Sequence, residues 1–297
     1  MPFTESNYEN CILSLLEDMG YTRLYGPDIA RDYRDALYEV ALLAALPVVN
    51  PGLPEEALAD AVNRIKDLGT GSLVQKNAAF MNYLQNGVPV KYFHKGAERS
   101  GLVYLIDYDP KHIERNTFHA INQWTFVERS EKRPDIVLFV NGLPLVVIEL
   151  KSPSRVETDA SEAYRQIRNY LQEIPSFFEY NAFCVISDQA VSKAGTITSS
   201  EDRFMEWKTK DGVGETKLFA DYETFFEGML EPARLLDIIK NFLCFSEETG
   251  GTAKILSAYH QYFAVKKAVG RTRQASETDG KGGVFWHTQG SGKSLSM

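Results

Sequence analysis

The chain has 297 residues, of which 44% are hydrophobic and 12% aromatic. This composition supports a sizeable core and excludes a disordered chain, and the length suggests about two domains. The net charge of −8 argues against a protein that holds DNA tightly by itself, because Lys and Arg supply most of the non-specific affinity for phosphate.

Targeting and redox features point to the cytoplasm. No window reaches the ~18 uninterrupted apolar residues of a membrane helix, and the N-terminus lacks a basic start followed by an apolar stretch. The three cysteines, Cys11, Cys184 and Cys244, lie far apart and form no CxxC pair. We therefore expect reduced thiols, no zinc site and no membrane partner.

The first 85 residues have the spacing of amphipathic helices. In the first helix, which Gly20 closes, the apolar positions are Tyr8, Ile12, Leu15, Leu16 and Met19. A second helix is predicted over 32–46, ended by Pro47, and a third over 55–68.

Strand patterns replace the helical ones from Gly87 to Ile148. Three segments are rich in Val, Tyr, Phe, Ile and Thr: 90–93, 102–108 and 118–127. Two further apolar runs, 135–140 and 145–151, flank an Asn-Gly pair, which is a strong hairpin signal. Their near-continuous hydrophobicity indicates that both faces of this hairpin are covered.

The chain after the hairpin alternates helix and strand, which predicts an α/β domain. A helix is expected over 159–173, stopped by Pro175, and a strand over 181–187. The remaining expectations are a loop-rich stretch at 192–218, helices at 221–230 and 232–245, a linker at 247–252, a helix at 254–269, a loop at 271–283 and a short strand at 284–286.

Three charged residues bound the hairpin and suggest hydrolytic chemistry. Glu149 and Lys151 are two residues apart on one strand and share a face. Asp135 starts the opposing strand, level with about residues 148 to 150. If the loop between the two strands has an odd number of residues, Asp135 lies on the same face as Glu149; if the number is even, it does not. Two carboxylates are typical Mg²⁺ ligands, and a lysine can orient water or stabilise phosphate oxygens.

The alternative is that these residues simply end two strands where they reach solvent. The cost of clustering like charges without neutralisation favours the site for the complete set.

Pro134-Asp135 with Glu149-Leu150-Lys151 resembles the PD-(D/E)xK nuclease signature. Ser152-Pro153 and the Gln166–Tyr170 pair on the following helix are similar to the restriction (R) subunits of type I restriction–modification enzymes. The resemblance implies that Asp135, Glu149 and the carbonyl of Leu150 bind Mg²⁺, that Lys151 assists the water, and that Gln166 and Tyr170 hold DNA or the site. Tyr170 also fits the buried stripe of its helix.

Many nucleases of this fold also use a glutamate on the first helix. Glu9 is the best candidate here, although an exposed helical glutamate is the simpler interpretation.

A phosphate-binding loop ends the sequence. After the apolar run at 284–286 comes His287-Thr288-Gln289-Gly290-Ser291-Gly292-Lys293-Ser294, in which backbone N–H groups, Lys293 and Ser294 would hold ATP phosphates and Mg²⁺. His287 replaces the usual first glycine. The loop resembles the first motor motif of type I restriction subunits, among the superfamily-two translocases, with Thr288, Gly290 and Gly292 as further nucleotide contacts. Gln261 is a candidate adenine reader or an ordinary surface glutamine.

The resemblance implies two domains: a PD-(D/E)xK nuclease domain over 1–235, with a mixed sheet flanked by helices, and the beginning of a RecA-like motor lobe over 236–297. The chain stops just after the P-loop, so we expect no ATPase activity from these residues alone. In the complete subunit, the family cleaves double-stranded DNA without sequence preference after ATP-driven translocation, together with methylation (M) and specificity (S) subunits.

Two other functions remain open: a stand-alone nuclease–helicase for repair or defence, and an idle docking module. Whether the basic residues near the site line a DNA path or are simply solvated also stays open. They are Arg129, Lys132, Arg133, Lys151, Arg155, Arg165 and Arg168.

Overall fold

The computed structural model describes residues 4–94, 96–151, 160–217, 221–248, 251–278 and 280–285. Its helices are α1 (Glu5–Asp18), α2 (Glu39–Val49), α3 (Glu55–Lys66), α4 (Leu73–Asn86), α5 (Ala160–Glu173), α6 (Tyr222–Leu230), α7 (Pro232–Asn241) and α8 (Tyr259–Glu277). Its strands are β1 (Thr22–Tyr25), β2 (Val88–His94), β3 (Ala97–Val103), β4 (Phe118–Asn122), β5 (Phe126–Val127), β6 (Glu131–Lys132), β7 (Ile136–Val140), β8 (Leu143–Leu150), β9 (Phe183–Ser187), β10 (Ser192–Gly195), β11 (Leu243–Glu248) and β12 (Gly251–Leu256). The protein is therefore of the mixed α/β class.

A six-stranded mixed sheet in the order β1-β4-β7-β8-β9-β10 forms the centre. The pairs β1–β4 and β8–β9 are parallel, whereas β4–β7, β7–β8 and β9–β10 are antiparallel. Every residue of β7, β8 and β9 is buried. This explains why the sequence of the central hairpin lacks the polar–apolar alternation of a half-exposed sheet.

Helices lie on both faces of this sheet. The hydroxyl of Tyr8 on α1 is 2.6 Å from Ser187 Oγ on β9, and α5 contacts β8 from the face that carries Glu149. A capping box on Thr4 starts α1, since Asn7 N–H donates to the Thr4 hydroxyl and the Asn7 side chain accepts from Thr4 N–H. The first predicted helix is thus confirmed.

The second predicted helix differs from the structure at both ends. It begins at Glu39 rather than at residue 32, and it includes Pro47 instead of ending before it. Residues 32–38 lie in turns that bring the Tyr38 N–H to the carbonyl of Gly142, 2.9 Å away. A Cβ on Gly142, at φ +77°, would lie 2.4 Å from Tyr38 O, so this close approach requires glycine.

The C-terminal third departs most from the sequence expectations. The predicted linker at 247–252 belongs to a hairpin in which Glu247 pairs with Thr252, and Lys254 lies on β12 rather than in a helix. Helix α8 starts at Tyr259 and continues to Glu277, through much of the predicted loop at 271–283. The stretch at 192–218 also contains the edge strand β10. The strands arise from the pairing of β11 with β12 and of β10 with β9, and local composition does not report such pairing.

The cysteines and the lengths of the helices can be compared with the sequence. Cys11, Cys184 and Cys244 are all free thiols. Among the helices of the described ranges, none combines the length and apolar character needed to cross a membrane.

A buried lysine fastens the β11–β12 hairpin to the central domain. Lys254 is 3% exposed, and its Nζ donates to Asn77 Oδ1 at 2.8 Å and to the carbonyl of Asn181 at 2.7 Å. Burial disfavours the ammonium and lowers the pKa of Lys254 from 10.5 to about 7.

Lys254 should make the stability of the folded chain depend on pH. Between about pH 7 and pH 10.5 the unfolded lysine keeps its proton while the folded one loses it, so stability rises with pH by up to about 1.4 kcal/mol per unit. We expect the difference in free energy of unfolding between wild type and Lys254→Met to grow over this range and to be flat below pH 6. Urea unfolding of both proteins at several pH values measures it; parallel curves would contradict the prediction.

Candidate active site

A β-bulge brings Asp135 opposite Glu149. The loop between β7 and β8 has two residues, Asn141 and Gly142, both at positive φ. An even loop would put Asp135 and Glu149 on opposite faces. However, the register shifts by one residue between Leu138 and Phe139, where their partners are Val146 and Pro144.

Leu145 is the extra residue of this bulge. Ile136 therefore pairs with Ile148, and the next positions outward are Asp135 and Glu149. The sequence prediction that the two carboxylates share a face is confirmed, by a bulge that compensates for the even loop.

Asp135, Glu149 and Lys151 form a connected cluster at the end of the hairpin. Asp135 Oδ2 accepts a hydrogen bond from the Leu150 N–H at 2.8 Å. Lys151 Nζ lies 2.8 Å from Glu149 Oε1. The backbone N–H of Lys151 donates to the carbonyl of Ser187. The ammonium and both carboxylates are thereby fixed to β8 and β9.

Tyr170 connects the cluster to α5. Its hydroxyl donates to Glu149 Oε2 at 3.1 Å and lies 3.4 Å from the carbonyl of Arg133. The Gln166 side chain, one helical turn earlier, hydrogen-bonds Tyr170. The structure thus brings all five predicted site side chains together, and Tyr170 serves both the buried stripe and the site.

Burial and mutual repulsion dominate the electrostatics. Burial raises the pKa of Glu149 to about 7, against the stabilising effects of Lys151 and Tyr170. Burial and then the charge of Glu149 raise the pKa of Asp135 well above its ordinary value, while the Leu150 N–H and Lys151 lower it. Burial opposes the charge on Lys151, but the two carboxylates together raise its pKa. One ammonium therefore does not neutralise the site, which favours binding of a further cation.

The donor set suits Mg²⁺. Each oxygen of Glu149 accepts one hydrogen bond and keeps a further lone pair, and Asp135 has a second oxygen. The carbonyl of Leu150 lies in the chain between Glu149 and Lys151. Over the described residues no group of three His, Cys, Asp or Glu side chains forms a metal cluster. Two carboxylates with a main-chain oxygen fit an ion that retains much of its water.

Two acids of the first helix lie near the site: Glu5 has a small effect on its charges, and Glu9 binds residues that adjoin Asp135. Glu9 accepts hydrogen bonds from Asn122 at 2.6 Å and Gln123 at 3.2 Å. The charge of Glu5 instead contributes to the raised pKa values of Asp135, Glu149 and Lys151. The sequence did not indicate Glu5, because the spacing of apolar residues shows which face of a helix is buried but not where the helix lies on the sheet.

Gln261 contributes to a helix end instead. The side chain of Gln261 caps the start of α8, where its Oε1 accepts from the Ala258 N–H at 2.9 Å. The residues assigned to the phosphate loop, Thr288, Gly290, Gly292, Lys293 and Ser294, are outside the described residues, as are Ser152, Pro153 and Arg155.

Some of the basic residues hold local structure. Arg129 donates to the carbonyl of Gln172 at 2.8 Å, Arg168 donates to that of Ile197 at 3.2 Å, and Arg133 pairs with Glu131 at 3.4 Å.

Comparison with known proteins shows the family. A model of the type I restriction enzyme R protein N terminus matches residues 2–203, and a model of the SWI2/SNF2 ATPase matches residues 260–297. The endonuclease subunit of the type I restriction enzyme HindI from Haemophilus influenzae is 37% identical over 99% of this chain and 29% of its own length. A putative MjaIXP endonuclease subunit from Methanocaldococcus jannaschii is 28% identical over 97% of this chain and 30% of its own.

Fold and site together define an α/β protein with two acids and a lysine gathered on a buried hairpin. The chain belongs to the family of type I restriction enzyme R proteins and matches their N-terminal part. It spans about three tenths of the length of these relatives.

Proposed function

We propose that this chain is the DNA-cleaving part of a type I restriction subunit. In this proposal residues 1–235 form a PD-(D/E)xK nuclease domain that cuts double-stranded DNA without sequence preference and with Mg²⁺. Residues from 236 onward begin a RecA-like motor whose ATP-driven translocation precedes cleavage. Methylation and specificity subunits would supply sequence recognition and part of the DNA affinity, which agrees with the net charge of −8.

One observation carries the proposal: the bulge at Leu145 places Asp135 and Glu149 on one face beside Lys151. Three charges on an otherwise buried hairpin are costly for folding alone. The same arrangement supplies oxygen ligands and a positive charge at one point, as phosphodiester hydrolysis requires.

Each residue has a role in this mechanism. Asp135, Glu149 and the Leu150 carbonyl would hold Mg²⁺, which supplies an activated water and neutralises charge on the phosphate. Lys151 presents its ammonium to the water or to the phosphate oxygens as negative charge develops there. Tyr170 fixes the orientation of the Glu149 carboxylate, and Gln166 fixes Tyr170.

Glu149→Gln in the full-length subunit, assembled with its partner subunits, tests the proposal. The motor also needs Mg²⁺, so a substitution separates the two activities better than metal removal does. We expect loss of cleavage of a circular DNA target with unchanged ATP turnover. Glu173→Gln, at the far end of α5, is the control and should retain both activities. An idle docking module predicts that Glu149→Gln behaves as wild type.

A further inference from the structure

A chain of buried hydrogen bonds connects Lys254 with the bulge that aligns the active site. The first link is the ammonium of Lys254, which donates to Asn77 Oδ1 and to the carbonyl of Asn181. Asn77 Nδ2 also donates to that carbonyl, at 2.8 Å. Asn77 and Asn181 are both fully buried, so neither can exchange these partners for water.

The second link runs from Asn181 to Leu145. Asn181 Nδ2 donates to the carbonyl of Leu145 at 3.3 Å and to that of Phe183 at 2.8 Å. The next residue, Ala182, donates its N–H to the same Leu145 carbonyl at 2.7 Å. The Leu145 carbonyl is therefore bound by Asn181 and Ala182, and Lys254 in turn binds the carbonyl of Asn181.

Lys254 itself comes from a different part of the fold. It lies on β12, whose backbone is joined to the central domain by Thr198 Oγ1, an acceptor for the Lys254 N–H at 2.9 Å. Strand β12 ends at Leu256, and α8 begins three residues later at Tyr259.

Helix α8 is in turn anchored on the same domain. Tyr262 and Phe263 lie against the ring of Trp207 at 5.5 and 5.9 Å, and Tyr262 donates to Asp237 Oδ2 at 2.9 Å. Residues 260–297 are those that match the ATPase family. The relay thus starts next to the segment that leads into the proposed motor.

We propose that Lys254 is a positioning residue for the catalytic pair, acting through Asn181 on the bulge at Leu145. The proposal rests on the proposed nuclease function. It means that the alignment of Asp135 with Glu149 depends on the side chain of Lys254, which β12 carries to Asn77 and Asn181.

The physical reason lies in the register. The bulge supplies the one-residue shift that puts Glu149 on the face of Asp135, and a slip by one residue moves a strand's side chains to the other face. Without the Lys254 amino group, which can donate hydrogen bonds whether or not it is protonated, two buried acceptors lose a donor and the Asn181 segment loses its anchor. The catalytic end of β8 then samples other arrangements while the rest of the sheet keeps its pairing.

The test is Lys254→Met in the full-length subunit with its partners, assayed where circular dichroism shows each variant fully folded. We expect cleavage to fall by about tenfold or more, as when a buried acceptor loses its donor, with ATP turnover retained. Leu256→Ala, on the same strand, controls for lost stability. Lys267→Met, which removes an exposed lysine that donates to the Gly212 carbonyl, controls for lost charge. Both controls should cleave at the wild-type rate.

Two readouts separate positioning from general stability. Hydrogen exchange at the Ala182 amide should speed up in Lys254→Met and stay unchanged in Leu256→Ala. In a double-mutant cycle, Lys254→Met and Asn181→Ala should reduce cleavage less than additively, because both interrupt one path. If Lys254→Met does not fold, Lys254→Gln, whose amide nitrogen ends one bond short of the lysine nitrogen, takes its place in every assay, with the same expected losses.

The outcomes are distinct. Wild-type cleavage and unchanged Ala182 exchange in the folded Lys254 variant would overturn the relay. If Glu149→Gln loses cleavage while Lys254→Met matches Leu256→Ala, the relay fails and the nuclease function stands. If Glu149→Gln cleaves normally, the proposed function itself fails.

Discussion

Lys151→Ala in the full-length subunit is expected to slow DNA cleavage by ~10²–10³-fold while ATP turnover stays at the wild-type rate. Lys151 Nζ lies 2.8 Å from Glu149 Oε1, within the cluster that would hold the scissile phosphate. Its loss removes the positive charge that stabilises developing negative charge. No described contact joins its side chain to α8, so the motor should be unaffected.

Paired assays of ATP turnover and cutting of a circular target measure this effect. Lys208→Ala is the matched control, because Lys208 also pairs with a nearby glutamate, at 2.9 Å, but on the exposed surface. Loss of ATP turnover in Lys151→Ala would show that the residue is structural and would remove its catalytic assignment.

Lys293→Ala is expected to abolish ATP turnover and DNA cleavage together. A P-loop lysine contacts the β and γ phosphates, so its replacement should reduce ATP hydrolysis by about 10²-fold or more. Cleavage should be lost as well because, in the proposed scheme, the nuclease acts only after translocation.

The same pair of assays distinguishes coupled from independent activities. Lys267→Ala, an exposed lysine on α8, should leave both unchanged. Normal cleavage by Lys293→Ala would mean that the nuclease works without the motor, and the proposed coupling would be wrong.

The central hairpin shows how far sequence reasoning reaches. Two apolar runs around Asn141-Gly142 were sufficient to predict β7, β8 and the meeting of Asp135 with Glu149. The face shared by the two acids depends on one residue of register, however, and a bulge at Leu145 has no local sequence signal. The two acids share a face only because the bulge shifts the register by one residue and so offsets the two-residue loop.

The β11–β12 hairpin shows where the sequence misleads. Gly250-Gly251 between two short apolar runs is a hairpin signal, but the polar residues around it are typical of a linker. From the sequence alone Lys254 would be expected on the surface, because a lysine is rarely buried without partners. Its partners, Asn77 and Asn181, are far away in the chain and become visible only in the folded protein.

Glu5 is a similar case. Its place in the first turn of α1 identifies it as an N-terminal acid of a helix, which is favourable for the helix alone. Its effect on Asp135 and Glu149 depends on how α1 crosses the sheet, and this is set by contacts such as Tyr8 with Ser187.

Asp135 and Glu149 are expected to hold one divalent cation between them. Mn²⁺, which takes the same oxygen ligands as Mg²⁺, can be counted by electron paramagnetic resonance without ATP or DNA. We predict one Mn²⁺ bound per wild-type chain, none at the same concentration in Asp135→Asn or Glu149→Gln, and one in Glu9→Gln. Undiminished Mn²⁺ binding by Asp135→Asn and Glu149→Gln would contradict the account.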